Sequence, residues 1–82
     1  LMPINEAPLY QKLTVRSFGN AETRELSDLE SRLMHLGFMD GATVMVKKKA
    51  PLFKEPLLVE VRGRLVALSS AEARLVSVEG LA

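Results

Sequence analysis

The chain has 82 residues, with eleven basic against ten acidic side chains and a formal net charge of +1. A chain this short forms one small domain that buries about 60–65% of its unfolded surface, which leaves little room for a deep catalytic cleft. The balanced charge excludes a strongly basic nucleic-acid binder, and the absence of cysteine excludes a disulfide framework. No apolar stretch approaches the roughly 20 residues that span a bilayer, which excludes a membrane-inserted chain.

The first twelve residues show no periodic pattern, and Pro3 and Pro8 disfavour both a helix and a central strand there. We interpret residues 1–12 as a lead-in and residues 13–82 as the single domain. No basic stretch followed by an apolar one opens the sequence, so a secretory signal is not expected. Alternation over residues 12–18 predicts the first strand, with Leu13 and Val15 on one face.

An amphipathic helix follows. Its apolar stripe recurs at helical spacing through Leu26, Leu29, Leu33 and Leu36. Ser27 is predicted as the N-cap, with Glu30 completing a capping box. Gly37 is predicted to take the left-handed conformation that ends a helix, with Phe38 as the apolar contact after it. The preceding residues, 21–26, fit either an earlier helical turn or an irregular lead-in.

The rest of the chain reads as short strands. They are predicted over residues 43–47, 57–62, 65–68 and 75–79. Residues 50–56 hold two prolines and are predicted as a loop, and residues 62–64 suit a tight hairpin turn. Ser69 and Glu72 form a second capping box over a single helical turn. The pattern therefore predicts a mainly β domain with one helix, arranged as a small barrel of about five strands.

The chemistry-bearing residues are few. His35 is the only histidine, and at about 140° from the centre of the leucine stripe it is predicted to be exposed near the helix C-terminus. One imidazole cannot supply the two-histidine, one-carboxylate set that suits ferrous iron, although a site shared between chains stays open. No phosphate-binding glycine loop occurs. We assign no catalytic, cofactor-binding or metal-binding residue and expect no enzyme activity.

The basic run at residues 47–49 has two interpretations. Lys47 and Lys49 are predicted to share the outward face of a strand whose pairing frays by Lys48. The run is then either a solvated strand end that discourages edge pairing or a docking patch for an acidic surface, extended by Arg62 and Arg64. Nucleic acid is not expected as a partner, because aromatic residues for base stacking make up only 5% of the chain.

The loop after this run is the preferred contact site. Leu52 and Phe53 follow Pro51 in a segment expected to be exposed, and aromatic anchors beside charges favour interface centres. The alternative is that both side chains fold back to cap the barrel, since a small core needs every large side chain. The candidate partner-binding residues are Lys47, Lys49, Pro51, Leu52, Phe53 and Arg62.

An ordered set of short motifs resembles the FeoA family, which has an SH3-like (Src-homology-3-like) barrel. The set comprises residues 33–38, 40–41, 44, 46, 50–52, 56–60, 62–63, 67–68, 72–73 and 76–78, so that the resemblance spans about residues 13–79. Two departures stand out. Residues 54–56 read Lys-Glu-Pro where the family usually has Gly-Asp-Pro, and Asp40 stands where proline is common.

The resemblance implies a function that the residues do not themselves show. FeoA-like chains are cytoplasmic accessory proteins of bacterial ferrous iron uptake, associated with FeoB, a membrane transporter with a cytosolic GTP-binding domain. The resemblance thus implies regulation by contact with another protein. It also brings the general family property of transition metal ion binding, and it implies no particular oligomeric state. An alternative is the related C-terminal module of metal-dependent repressors or a nucleic-acid-binding small barrel, but no helix-turn-helix pattern precedes the domain here.

Overall fold

The computed structural model describes residues 1–18, 24–50 and 55–80. Its helices are α1 (Arg24–Leu36) and α2 (Ser70–Leu75), with a 3₁₀ turn at Ile4–Glu6. Its strands are β1 (Met2–Pro3), β2 (Leu13–Phe18), β3 (Thr43–Lys49), β4 (Leu57–Val61), β5 (Arg64–Leu68) and β6 (Val76–Gly80). The domain is mainly β with one long helix, as the pattern predicted.

The strands form one antiparallel sheet in the order β1-β6-β2-β3-β4-β5. All five predicted strands are confirmed, and β1 adds a sixth. The short helix α2 contacts both β1 and β5, the two strands at the ends of this order. The core lies on one side of the sheet, where alternate residues of β3, β4, β5 and β6 are buried together with Leu13 and Val15 of β2.

The start of the chain contributes to the core, although its sequence shows no period. Met2 and Pro3 pair with β6, and Ile4 and Ala7 are fully buried. A proline is tolerated in β1 because this strand lies at the sheet edge and needs few hydrogen bonds. Two strand residues and one 3₁₀ turn are too short to produce a readable pattern. Residues 2–7 of the expected lead-in therefore pack as part of the domain.

The predicted N-cap of α1 is wrong, and of the two alternatives for residues 21–26 the earlier helical turn is found from Arg24 onward. The helix begins at Arg24, so Ser27 lies inside it and cannot be the N-cap. The spacing of a serine three residues before a glutamate matches a capping box even inside a helix. Here the helix already begins upstream, so this spacing does not mark its first turn. The apolar stripe itself is confirmed at Leu33, which is buried, and at Leu29 and Leu36, which pack against the core.

The predicted end of α1 is confirmed at Gly37. Its φ is +109°, its N–H donates to the carbonyl of Met34 at 3.1 Å, and the N–H of Phe38 donates to the carbonyl of Leu33 at 3.0 Å. These two bonds are the pair that define a Schellman end, which satisfies carbonyls the helix leaves free. Phe38 is fully buried in the core cluster that also contains Leu33.

The second capping box is confirmed at the start of α2. The side chain of Ser69 accepts from the N–H of Glu72, and a carboxylate oxygen of Glu72 accepts from the N–H of Ser69 at 2.9 Å. Glu72 is only 4% exposed, and its other oxygen forms an ion pair with Arg32 of α1. Glu72 therefore joins the two helices. A second carboxylate, that of Glu55, accepts from the N–H of Ser70 at 2.6 Å. The helix continues to Leu75, so the last strand begins one residue later than predicted.

We expect Glu72→Ala to lower the free energy of unfolding by about 2 kcal/mol, since it removes half of a capping box and the partner of Arg32. Glu72→Gln is the matched control, because its amide oxygen can still accept from Ser69 while the charge is lost. Urea denaturation of both variants measures the difference. A loss below about 0.5 kcal/mol for Glu72→Ala would show that this junction contributes little.

Candidate partner-binding surface

The outer face of strands β3, β4 and β5 carries part of the basic run that the sequence singled out. The register sets two cross-strand rows on this face, which are Met45–Glu60–Leu65 and Lys48–Leu58–Ala67. The neighbouring residues Val44, Val46 and Val59 point to the core and are buried. The face thus mixes apolar side chains with charges, which is the usual make-up of a protein-contact surface.

A β-bulge changes the predicted orientation of the lysine run. Val46 pairs with Val59, but the next pair is Lys48 with Leu58, so Lys47 is the extra residue. Two expectations are therefore wrong. The pairing does not fray at Lys48, and alternation reverses, because one inserted residue turns every later side chain to the other face.

Lys48 and Lys49 consequently have different surroundings. Lys48 lies on the outer face and is exposed, whereas Lys49 pairs with the buried residue Leu57 and is half-buried. Lys47 and Lys49 do not share the outward face as predicted.

Lys47 is engaged by its own chain. Its Nζ lies 3.9 Å from Oε2 of Glu60 and 5.7 Å from the ring centroid of Tyr10. The N–H of Tyr10 donates to the carbonyl of Val46 at 2.9 Å, which holds the aromatic ring beside the strand. Such exposed contacts contribute modestly to stability, and they position the ammonium group over the outer face.

Arg62 occupies the tip of the β4–β5 hairpin. Its φ is +52° and that of Gly63 is +74°, the pair of positive angles that a two-residue type I′ turn requires. The predicted tight turn is therefore confirmed. The Cδ of Arg62 lies 3.2 Å from the point where a Cβ on Gly37 would stand, so the side chain crosses the end of α1.

Two shallow cavities flank this outer face. The first, of about 170 Å³, is lined by Lys12, Thr43, Val44, Met45, Glu60, Arg62 and Gly63. The second, of about 270 Å³, has Lys48, Ala50, Pro56 and Leu58 in its lining. Lys47 thus lies beside Glu60, and Arg62 lines the same cavity as Glu60. The candidate residues Pro51, Leu52 and Phe53 lie outside the described residues.

The charge of the chain is strongly polarised, which its net charge conceals. Residues 43–68 hold six basic and two acidic side chains, a net +4, whereas the remainder holds five basic and eight acidic side chains, a net −3. The described members of the first group lie on or between β3, β4 and β5. A count taken by segment would have revealed this asymmetry from the sequence. The outer face therefore suits an acidic partner surface.

The residues tested for chemistry lie apart from this face. His35 is exposed, as predicted, and its Nδ1 lies 2.7 Å from the carbonyl oxygen of Ser31. Within residues 1–18, 24–50 and 55–80, no three His, Asp or Glu side chains are grouped so that they could hold a metal ion.

On another surface, the carboxylate of Glu79 lies 2.5 Å from Nε of Arg16 and raises the pKa of that guanidinium through a hydrogen bond and charge attraction. In the part of the chain that the structure describes, no helix is long and apolar enough to cross a membrane.

A small antiparallel sheet with a short helix before its last strand, and an exposed charged face, defines an SH3-like domain. The family model of the FeoA domain matches residues 2–80. The chain therefore belongs to the FeoA family, as the motif set predicted, and the SH3-like fold is confirmed.

Solved structures support this assignment. FeoA of Stenotrophomonas maltophilia, complexed with zinc, is 34% identical, with a TM-score of 0.81 over 96% of this chain and 91% of that chain. It is described as an SH3 domain protein and a possible ferrous iron transport activating factor. FeoA of Chlorobium tepidum is 30% identical, with a TM-score of 0.81 over 99% of this chain and 71% of that one. No curated protein sequence matches the chain.

The repressor ScaR with bound Zn²⁺ is also similar, at 22% identity and a TM-score of 0.77 over 99% of this chain and 37% of that chain. Identity this low shows a common fold alone. The similarity accounts for the resemblance to repressor modules without carrying their activity to this chain.

Proposed function

We propose that this chain is a cytoplasmic accessory protein of ferrous iron uptake that acts by contact with the cytosolic side of a FeoB-type transporter and catalyses no reaction itself. The observation that carries the proposal is the FeoA family match over residues 2–80. The description of the Stenotrophomonas protein as a possible transport activating factor supports it. Iron is then the cargo of the partner, and this chain supplies a binding surface.

The outer face of β3, β4 and β5 is the surface proposed for this contact. Its candidate residues are Lys47 over this face and Arg62 at the hairpin tip beside it, with Pro51, Leu52 and Phe53 from the segment that follows β3. Lys49, the other candidate, is half-buried at the end of β3 and lies next to this face rather than on it. Lys47 lies 3.9 Å from Glu60, Arg62 lines a cavity together with Glu60, and residues 43–68 carry a net +4. Long-range attraction of that size raises the rate at which an acidic surface docks, and buried side chains near the centre supply most of the affinity.

The test is isothermal titration of the full chain into the soluble GTP-binding domain of the matching transporter, with GDP and with a GTP analogue. We expect saturable heat that depends on the nucleotide. Arg62→Glu should weaken binding about tenfold, because it reverses a charge at the hairpin tip beside the surface. Arg74→Glu is the matched control, since Arg74 is exposed on α2 and belongs to another surface.

Absence of heat with both nucleotides, from a chain shown to be folded, would reject docking on that domain. Phe53→Ala distinguishes the two interpretations of the loop. If Phe53 is an anchor, the variant binds more weakly by about 1 kcal/mol or more and keeps its thermal stability. If Phe53 belongs to the core, stability falls and binding is spared.

Nucleic-acid binding is the second candidate, because the net +4 of residues 43–68 is an electrostatic feature that DNA or RNA also recognises. It would be favoured by binding to a mixed-sequence duplex that weakens steeply as salt is raised. We expect no such binding at physiological salt, since the outer face of the described strands presents no aromatic side chain for stacking other than the neighbouring Tyr10.

A further inference from the structure

The strand β5 lies at one end of the sheet order, and among the described strands it pairs only with β4. The other end is β1, which has two residues, one of them Pro3. A short, proline-containing strand is a protected edge because it offers few backbone groups to a further strand. The two edges therefore differ, and β5 is the longer and less protected one.

The hairpin register determines which backbone groups of β5 face outward. Val61 and Arg64 flank the two-residue loop and pair directly, and pairing continues without a bulge to Leu57 and Leu68. Opposite residues in an antiparallel pair alternate between hydrogen-bonded and non-hydrogen-bonded positions, starting here with a bonded pair. The N–H and C=O groups of Leu65 and Ala67 consequently point away from β4.

Within β5 itself, the described residues carry little of the usual protection against pairing, and α2 contacts this strand without adding a strand to it. The five residues of β5 contain no proline and no bulge, and Leu65 is 58% exposed. Soluble proteins normally blunt such an edge with charge, proline or a twist, because it is a template for another chain. The one charge on β5 is Arg64, at its start.

We propose that the β5 edge binds an extended acidic segment of a partner protein, which adds to the sheet as a further antiparallel strand. The charge of residues 43–68, a net +4, selects this occupant over a second copy of the chain, since pairing of two β5 edges would bring two basic regions together. Apolar side chains of the segment lie beside Leu65 and Ala67, and an acidic one lies beside Arg64. The inference goes beyond the proposed function, because it holds for any partner that presents such a segment.

The proposal predicts a pattern of amide exchange in the full, isotope-labelled chain. In the free chain the amides of Leu65 and Ala67 exchange rapidly, whereas those of Val66 and Leu68 are protected by β4. A short synthetic peptide of alternating valine and glutamate should protect Leu65 and Ala67 and shift their resonances. The same peptide with lysine in place of glutamate is the control, and it should bind at least tenfold more weakly.

Two variants isolate the backbone and the charge. Ala67→Pro removes an outward N–H that β4 does not use, so it should abolish peptide binding while the thermal transition stays close to that of Ala67→Ser. Arg64→Glu keeps the edge and lowers the net charge of residues 43–68 from +4 to +2, so it should weaken binding of the acidic peptide and reduce its advantage over the lysine peptide.

Three results would overturn the proposal. They are protection of Leu65 and Ala67 already in the free monomer, no response to the acidic peptide at about 1 mM, and a dimer that protects these amides without peptide. If Ala67→Pro fails to fold, the exchange pattern and the weaker acidic-peptide binding of Arg64→Glu still decide the question.

Discussion

Replacement of Gly37 by valine is expected to lower the free energy of unfolding by about 3 kcal/mol, because two penalties combine. The φ of +109° is a conformation that β-branched residues resist. A Cβ at this position would also stand 3.2 Å from Cγ2 of Val61 and 3.2 Å from Cδ of Arg62, closer than ordinary packing permits. Since a domain of this size is stable by roughly 4–12 kcal/mol, a large share of its stability would be lost.

Gly63→Ala is the matched control for this variant. Its φ is +74°, but no described atom lies within 4 Å of the point where its Cβ would stand. It should therefore show only the conformational cost, about 1 kcal/mol. Thermal and urea denaturation of both variants measure the loss of unfolding free energy in each. Equal losses would mean that the close approach of Val61 and Arg62 adds nothing, and an unchanged Gly37→Val stability would contradict the Schellman end.

Ile4→Ala is expected to cost about 3 kcal/mol, the typical loss for a fully buried isoleucine. Ile4 is completely buried, and its 3₁₀ turn contacts α2 and β6. Truncation would leave a cavity beneath α2 and weaken the pairing of β1 with β6. Loss of this magnitude from a residue near the chain start would show that the N-terminal segment is integral to the domain.

Leu9→Ala serves as the control for Ile4→Ala. Leu9 lies in the same N-terminal region but is 41% exposed, so its truncation should change the free energy of unfolding by less than about 0.5 kcal/mol. Urea denaturation compares the two. A similar small effect for both would show that residues 2–7 are not docked in solution.

Several elements could be predicted from the sequence because their determinants are local. The leucine spacing of α1, the glycine that ends it, the Ser69–Glu72 capping box and the Arg62-Gly63 turn each depend on residues within one or two turns of chain. The five longer strands carry enough alternating residues to show a period of two. The family was recognised from the ordered set of short motifs over about residues 13–79.

The sequence and the tertiary structure each contributed to the definition of the proposed binding surface. The basic character of residues 47–64 is a property of composition, and the sequence alone singled out Lys47, Lys49 and Arg62. Which of these share a face was decided by the bulge at Lys47, which turns Lys48 outward and sets Lys49 opposite buried Leu57. The role of Pro51, Leu52 and Phe53 stays a prediction for the binding experiments.

The tertiary structure alone decided the features whose determinants lie far apart in the chain. A two-residue strand at Met2–Pro3 exists because β6, more than 70 residues later, supplies its partner. Glu72 is buried because Arg32 and Ser69 meet it there. The position of the bulge follows from how β3 must pair with β4, and the free edge at β5 follows from the strand order. Local propensity carries no information about such contacts, because their free energy arises only when distant segments pack together.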